Sequence, residues 1–247
     1  MNESLGDRIL KTKAQMPNDL GSRIKENYED RYRIYLTRRT PVIVRLDGKA
    51  FHTLTSKCQR PFDHHFINSM LYASEETAKE LQGFKLAYVQ SDEVSFLLTD
   101  YDNLDTEAWF DYNLSKIVSV SASTMSVYFN DFFFHTSEIG RKTPSYGIFD
   151  GRAFNIPKEE VANYFLWRYR DWERNSLLMY CHSFFSHKEM LNKDREGQHE
   201  LLHSVGKNWA TDLSNREKNG TFLLDNGNLI DNFVASYETI NSLFMDK

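Results

Sequence analysis

A short stretch near the start of the chain, residues 41–55, places a carboxylate and a glycine at the end of a predicted strand. The β-branched run at 42–44 is bounded by Pro41 and by Asp47-Gly48, which is typical of a buried strand that ends in a tight turn. Aspartate supplies the hard oxygen ligand that Mg²⁺ prefers, and glycine allows the backbone N–H groups that follow to turn toward an anion. An ordinary Asp-Gly turn explains the same residues without a ligand.

Two adjacent carboxylates, Asp92 and Glu93, lie between the apolar runs 86–89 and 94–98. Two apolar runs joined by a short polar segment predict a β-hairpin. Two neighbouring carboxylates are an unusual choice for its turn unless a positive group lies close by. A solvated acidic turn is the alternative interpretation.

The elements that must position these carboxylates follow the order strand, helix, strand, strand, helix, strand. Apolar residues at helical spacing predict the first helix from Asp63 to Gly83, and Asp105-Thr106 opens the second. After a connection at 131–147, residues 148–154 predict the fourth strand. This βαββαβ order is typical of an α+β, ferredoxin-like sheet, in which the first strand lies beside the central hairpin. Asp47 and Asp92 would then converge, and paired carboxylates can hold two divalent ions about 4 Å apart.

Outside this core, the sequence predicts a helical leader at 1–40 and an extension at 157–247, with the core at 41–156. The leader repeats LGDRI of 5–9 as LGSRI at 20–24, which indicates a local duplication because two copies do not make a solenoid. The extension is predicted to be helical, with a hairpin that begins at Gly220.

Composition limits the class of protein. The 247 residues are 40% hydrophobic and 14% aromatic, enough for one elaborated domain or a core with a helical appendage. No apolar run approaches membrane-spanning length, and Cys58 and Cys181 lack the spacing of a zinc site or a disulfide framework. The net charge of −5 argues against a generally basic nucleic-acid coat. We expect a soluble, cytoplasmic protein.

Five segments, in order, resemble the tRNA-histidine guanylyltransferase family: RLDGKAFH, QSDE, SKIVSVSAS, FDGRAFNIP and FSHKEML. The resemblance runs from about residue 20 to about residue 224 and is closest to the bacterial, archaeal and phage-type guanylyltransferase-like 3′–5′ polymerases. It implies a polymerase-type palm, two Mg²⁺ ions, and ATP with GTP or another NTP as substrates. It also implies a tRNA partner, extended at its 5′ end on the acceptor stem, and a homotetramer.

The resemblance assigns roles to the residues at matching motif positions. Asp47 and Asp92 are expected to hold the magnesium ions together with the Gly48 carbonyl, and Glu93 to complete a catalytic acidic cluster. The residues expected around the triphosphate and base are Gly48, Lys49, Ala50, Phe51, His52, Arg60, Asp63 and Ser91, and those expected at a second nucleotide are Lys116 and Asn175. For His52, a satisfied structural histidine is the alternative.

One segment departs from the family pattern. Residues 172–178 read WERNSLL where the eukaryotic enzymes specific for histidine tRNA carry HINNLYN. The departure favours templated repair of 5′-truncated tRNA over guanosine addition to histidine tRNA. Two hypotheses of other classes stay open: a palm-type nucleotide cyclase with the same paired carboxylates, and a non-catalytic RNA-binding module on the same scaffold.

Overall fold

The computed structural model describes residues 20–136 and 145–245. The chain divides into two compact units, one that ends at Tyr35 and one that begins at Leu36. In the first unit, the second copy of the repeated segment forms a short helix, α1 (Leu20–Ile24), followed by a π-helical turn (Lys25–Glu29) and a 3-10 turn (Asp30–Tyr32). The first copy, at 5–9, lies outside the described residues, so the duplication stays a prediction.

The second unit contains a six-stranded sheet and the remaining described helices. Its strands are β1 (Val42–Gly48), β2 (Phe84–Gln90), β3 (Glu93–Leu98), β4 (Phe149–Asn155), β5 (Thr221–Leu224) and β6 (Leu229–Ile230). Its helices are α2 (Phe51–Leu54), α3 (His64–Glu80), α4 (Leu114–Thr136), α5 (Val161–Cys181), α6 (His187–Met190), α7 (Arg195–Ser204), α8 (Trp209–Asp212), α9 (Asn215–Asn219) and α10 (Tyr237–Met245). No helix within these ranges is long and apolar enough to cross a membrane.

The sheet is antiparallel throughout, in the order β4-β1-β3-β2-β5-β6. β1 therefore lies between β3 and β4, and the predicted hairpin is formed by β2 and β3. In this register Asp47 lies directly opposite Glu93 of β3 and Asp150 of β4. A mixed fold of helices and an antiparallel sheet is thus confirmed, and the carboxylates gather at one end of that sheet.

The two faces of the sheet are covered by different helices. On one face, α3 and α4 enclose Val42, Val44 and Leu46 together with a cluster of phenylalanines. On the other face, α5 and α10 cover Ile43 and Leu97. Strand alternation explains the division, because successive side chains of β1 point to opposite faces.

The helix after the hairpin begins later than the sequence predicted. α4 starts at Leu114 rather than near Asp105, because residues 110–112 all have left-handed backbone angles, with φ between 50° and 59°. A right-handed helix of L-residues cannot run through such a segment. At its other end α4 continues to Thr136, into the range interpreted as a connection, of which 137–144 lie outside the described residues.

Candidate active site

Asp47, Gly48 and Asp92 lie together at one end of the sheet. β1 ends at Gly48, whose backbone N–H donates to the Asp92 carbonyl at 3.0 Å. Asp92 occupies the two-residue turn between β2 and β3, after Ser91, whose φ of 46° is left-handed. A non-glycine residue adopts that conformation at a cost of about 1–2 kcal/mol, and such strain clusters at functional sites. The end of β1 and the hairpin turn therefore meet, as the sequence predicted.

Gly48 is required by a close approach of the chain to itself. A Cβ at this position would lie 2.5 Å from the ring of Phe51. Phe51 is the first residue of α2, which the chain enters through Ala50 with φ of 55°. The strand end, the turn and the short helix are thus packed too tightly for any side chain at Gly48.

The Asp92 residue is half-buried, and its carboxyl lies close to a second negative charge. Burial raises the pKa of Asp92, hydrogen bonds from its own backbone N–H and from the Ser91 side chain lower it, and the Asp47 carboxylate raises it. Neither Asp47 nor Asp92 forms an ion pair with a described residue. A cation bound between these two carboxylates would offset their repulsion.

Asp47 belongs to a row of three carboxylates that crosses three strands. This carboxylate row consists of Asp150 on β4, Asp47 on β1 and Glu93 on β3, each directly opposite its neighbour. Such opposed residues share one face of a sheet, with Cβ atoms about 4.5–5.5 Å apart, and like charges there are destabilising. Two positions further along the strands, Arg45 and Arg152 oppose each other in the same way.

Glu93 differs from Asp92 because its charge is balanced. Its two oxygens accept hydrogen bonds from Nε and Nη2 of Arg168 at 2.7 and 2.8 Å, and both residues are buried. Arg45 Nε lies 3.0 Å from Glu93 Oε2, an ion-pair contact in which the N–H is not aligned for a hydrogen bond. Burial raises the pKa of Glu93, while Arg168 and Arg45 lower it.

A cavity of about 600 Å³ opens beside Asp92. This volume is within the range of small-molecule sites, which combine an apolar lining with a few polar groups. The predicted site residues that line it are Phe51, His52, Arg60, Asp63, Ser91 and Asp92. Those outside its lining are Asp47, Gly48, Lys49, Ala50, Glu93, Lys116 and Asn175.

Lys49 and Asp63, two of the predicted nucleotide-binding residues, already form hydrogen bonds with the backbone. The backbone N–H of Lys49 donates to the Ile148 carbonyl at 2.8 Å, so its exposed side chain is what it can offer an anion. Asp63 caps α3: its Oδ1 accepts from the N–H of Phe66 at 3.0 Å and its Oδ2 from the N–H of Gln59 at 2.8 Å. Capping is thus an established task of Asp63, and its contact with a base stays a prediction.

The residues expected at a second nucleotide lie on two different helices. Lys116, on α4, has its ammonium 5.6 Å from the centroid of the Phe110 ring. Asn175, on α5, donates its side-chain amide to Asp171 at 3.4 Å. The structure therefore does not bring Lys116 and Asn175 to the cavity, and their roles stay predictions.

The sequence analysis missed the wall of the cavity that comes from the C-terminal third of the chain. Trp172 and Met179 line the cavity from α5, His182 lines it from the residue after that helix, and Arg216 and Gly220 line it from the segment before β5. The spacing of Trp172, Met179 and His182 is close to helical and was a usable signal. Arg216 and Gly220 carry no local signal, because only the pairing of β5 with β2 brings them near.

The donor set at the end of β1 fits magnesium that is completed by its substrate. Within the described ranges, no group of three or more His, Cys, Asp or Glu side chains is placed to hold a metal ion. Magnesium in phosphoryl-transfer sites usually binds one or two carboxylates, with phosphate oxygens and water as the other ligands. Asp47, Asp92 and the Gly48 carbonyl match that requirement.

Comparison with known proteins identifies relatives over most of the chain. Residues 22–157 match the family model "Thg1: tRNAHis guanylyltransferase". A bacterial tRNA(His) guanylyltransferase (Thg1)-like protein, solved in complex with ATP, is 35% identical with a TM-score of 0.85, over 92% of this chain and 100% of that one. The bacterial Thg1-like structure in complex with GTP is 33% identical with a TM-score of 0.75, over the same shares.

A probable tRNA(His) guanylyltransferase of Dictyostelium discoideum is 32% identical over 57% of this chain and 54% of its own length. The family model covers more than half of the chain and spans β1 to β4, with Asp47, Asp92 and Glu93. The chain therefore belongs to the tRNAHis guanylyltransferase (Thg1) family of nucleotidyltransferases, which act in tRNA processing.

Proposed function

We propose that this protein is a magnesium-dependent 3′–5′ nucleotidyltransferase that repairs 5′-truncated tRNA on a template. Strands β1–β4 and helices α3 and α4 serve as a ferredoxin-like, polymerase-type palm, and the chain from residue 157 onward as an extension packed on it. One observation carries the proposal: Asp47 and Asp92, which form no ion pair with any residue that the structure describes, lie together beside a cavity of about 600 Å³. The bacterial relatives solved with ATP and with GTP support nucleotides as its ligands.

The reaction has two chemical stages. In the first, the 5′-monophosphate of the RNA attacks the α-phosphorus of ATP, and pyrophosphate leaves. In the second, the 3′-hydroxyl of an incoming nucleotide attacks the activated 5′ phosphate, AMP leaves, and the triphosphate of the new nucleotide remains at the 5′ end. Magnesium held by Asp47, Asp92 and the Gly48 carbonyl would neutralise charge on the phosphate oxygens.

The protein's own contribution is to bind and orient the triphosphate. His52 and Arg60 line the cavity and present groups that can contact phosphate or base. Ser91 has a left-handed backbone conformation in the turn, and its side chain donates a hydrogen bond to the Asp92 carboxylate. Lys49 adds an exposed ammonium next to the strand end.

The segment that departs from HINNLYN supports repair over strict recognition of histidine tRNA. Trp172 is buried against Phe62, with ring centroids 6.2 Å apart, and it lines the cavity. Ser176 accepts a hydrogen bond from Nε1 of Trp209 at 3.2 Å in the interior. These side chains are committed to packing, which leaves less of the segment to read an anticodon.

The test uses a tRNA that lacks its first nucleotide and carries a 5′-monophosphate, with ATP, all four NTPs and magnesium. Products are resolved at single-nucleotide length. Extension by the nucleotide complementary to the opposite acceptor strand is the expected result. Guanosine addition to full-length histidine tRNA alone would replace repair by the alternative activity. A cyclic product from NTP without RNA would identify a cyclase, and RNA binding without any product a non-catalytic module.

We further propose that the protein acts as a homotetramer in the cytoplasm, as its family resemblance implies. Sedimentation equilibrium at micromolar concentration is expected to give the mass of four chains. A single-chain mass under the conditions of full activity would contradict the tetramer.

A further inference from the structure

A line of polar contacts runs from the carboxylate row into helix α5. Arg168 binds both oxygens of Glu93, at 2.7 and 2.8 Å. Nη2 of the same guanidinium lies 3.3 Å from Oδ2 of Asp171, which accepts the side-chain amide of Asn175 at 3.4 Å. The line therefore begins one residue from Asp92 and ends at a residue expected to contact the second nucleotide.

The contact between Arg168 and Glu93 requires an arginine. Two parallel N–H groups of a planar guanidinium match the two oxygens of a carboxylate, which a lysine ammonium does not reproduce. The guanidinium also lies against the Trp167 ring, with 4.6 Å between Cζ and the ring centroid. Arg168 is therefore held on one side by a ring and on the other by two carboxylates.

Stability alone does not account for such a pair. Desolvation of two buried charges offsets most of their attraction, and apolar replacements of similar volume are often as stable. The pair does something that apolar residues would not, because it is satisfied in only one arrangement of α5 relative to β3. Glu93 opposes Asp47 across the strands, so the Arg168 charge also prevents repulsion between these two carboxylates.

We propose that Arg168 is a positioning residue for the reaction proposed above, and that Glu93 is the anchor of this network rather than a metal ligand. Through Glu93, Arg168 fixes the turn that carries Asp92. Through Asp171, it fixes the amide of Asn175. The inference rests on the proposed function only for the activity measured in its test.

The test compares Arg168→Lys and Glu93→Gln, singly and combined, with Arg170→Lys as the matched control. Arg170 lies on the same helix, is exposed, and makes no ion pair with a described residue. The rate measured is single-turnover adenylylation of a 5′-monophosphorylated tRNA at saturating ATP. We expect Arg168→Lys to lower it roughly 10–100-fold, as for a displacement of about 1 Å at a reacting centre. Arg170→Lys is expected to stay within about twofold, since most exposed substitutions are neutral.

A double-mutant cycle then tests whether the two residues act as one unit. The combined variant is expected to be no slower than the slower single variant, because each substitution breaks the same contact. Additive losses, or a normal rate in Arg168→Lys, would overturn the proposal.

Two readouts do not depend on turnover. The Gly48 amide donates to the Asp92 carbonyl, so its hydrogen exchange reports whether the turn is held. We expect Arg168→Lys to accelerate exchange at Gly48 relative to amides in the middle of β1. Equal acceleration at all of these amides would mean that Arg168 only stabilises the fold, and would contradict the proposal. Binding of Mn²⁺ in the presence of ATP, followed by electron paramagnetic resonance, is expected to keep its stoichiometry in Glu93→Gln.

Loss of Mn²⁺ from Glu93→Gln but not from Arg168→Lys would make Glu93 a ligand and overturn the assignment. If the unmodified protein adenylylates no RNA, the proposed function fails instead. In that case, hydrogen exchange at Gly48 still tests whether Arg168 and Glu93 hold the Asp92 turn, because this measurement does not require activity.

Discussion

At one end of the strands, the two faces of the sheet are packed by different interactions. On the face under α3 and α4, the Phe51 ring meets Phe129 and Phe149 with centroid distances of 5.3 and 4.9 Å. On the face under α5, Glu93 and Arg168 form a buried ion pair. Apolar cores tolerate rearrangement if their volume is kept, whereas buried polar groups must be satisfied in one geometry. At this end of the strands, apolar packing stabilises the first face, whereas an ion pair fixes the geometry of the second.

The largest effect is expected on the rate of nucleotide addition, when one of the two proposed metal-binding carboxylates is removed. Asp92→Ala, and equally Asp47→Ala, should lower nucleotide addition by on the order of 10⁴-fold, because the metal-assisted stabilisation of several kcal/mol is lost. Circular dichroism should show an unchanged fold. Asp105→Ala, an exposed carboxylate in the loop after β3, is the control and should retain activity. Addition at the normal rate by either active-site variant would refute the metal assignment.

The apolar face should respond in the opposite way. Phe129 is fully buried among the phenylalanines under α3 and α4. Phe129→Ala should lower the free energy of unfolding by about 3–5 kcal/mol. At low temperature the folded fraction should still add nucleotides. Val127→Ala, at a residue of the same helix that is 64% exposed, should change the free energy of unfolding by less than about 0.5 kcal/mol. The division between the faces would be wrong if Phe129→Ala lowered activity per folded molecule as strongly as Asp92→Ala does.

Gly48 connects the two faces, so its substitution should affect both properties. Gly48→Ala places a Cβ 2.5 Å from the Phe51 ring while its N–H is bound to the Asp92 turn. Urea unfolding should show a loss of about 1–3 kcal/mol, the usual cost of overpacking, together with slower nucleotide addition. Gly206→Ala, which has left-handed φ but no atom within 4 Å, should cost about 1–2 kcal/mol for its backbone alone and leave activity unchanged. Slower addition by Gly206→Ala would remove the link to the site.

The smallest effect concerns the free energy of unfolding, which the ionised Asp92 carboxylate lowers. Its pKa is raised in the folded protein, chiefly by burial, so the folded state binds its proton more tightly than the unfolded state does. Stability is therefore lost as pH rises from the ordinary pKa of an aspartate through the raised pKa, and the penalty is complete above the raised pKa. Asp92→Asn cannot ionise and should be more stable above that pKa by about 0.5–2 kcal/mol, the usual gain at a strained functional position. Thermal unfolding should show this difference shrinking toward acid, and a difference that grows in acid would contradict the burial of Asp92.

The sequence was informative where a local pattern decides the structure. A β-branched run followed by Asp47-Gly48 predicted β1, and two apolar runs around Asp92 predicted the hairpin. Together they were sufficient to predict that the end of β1 lies beside the hairpin turn. It was uninformative about the partner of Glu93, because Arg168 lies 75 residues away along the chain. It also failed at residues 110–112, where three consecutive left-handed residues include no glycine to announce them.

The pairing of β1 with β4 has a consequence for how the chain folds. In the native register Asp47 faces Asp150 and Arg45 faces Arg152. A slip of β4 by two residues would keep every side chain on its own face, and it would place Arg152 opposite Asp47. The native register thus places like charges opposite each other, and the ion pairs of Arg152 with Asp150 and of Arg45 with Glu93 offset part of this local frustration.

Asn155, at the far end of β4, opposes that slip. Its Oδ1 accepts from the Thr37 N–H at 2.7 Å, and its amide donates to the Thr37 carbonyl at 3.0 Å. These bonds exist in one register only. A slipped sheet would place Arg152 opposite Asp47, so the cation site proposed at Asp47 and Asp92 depends on the native register of β4.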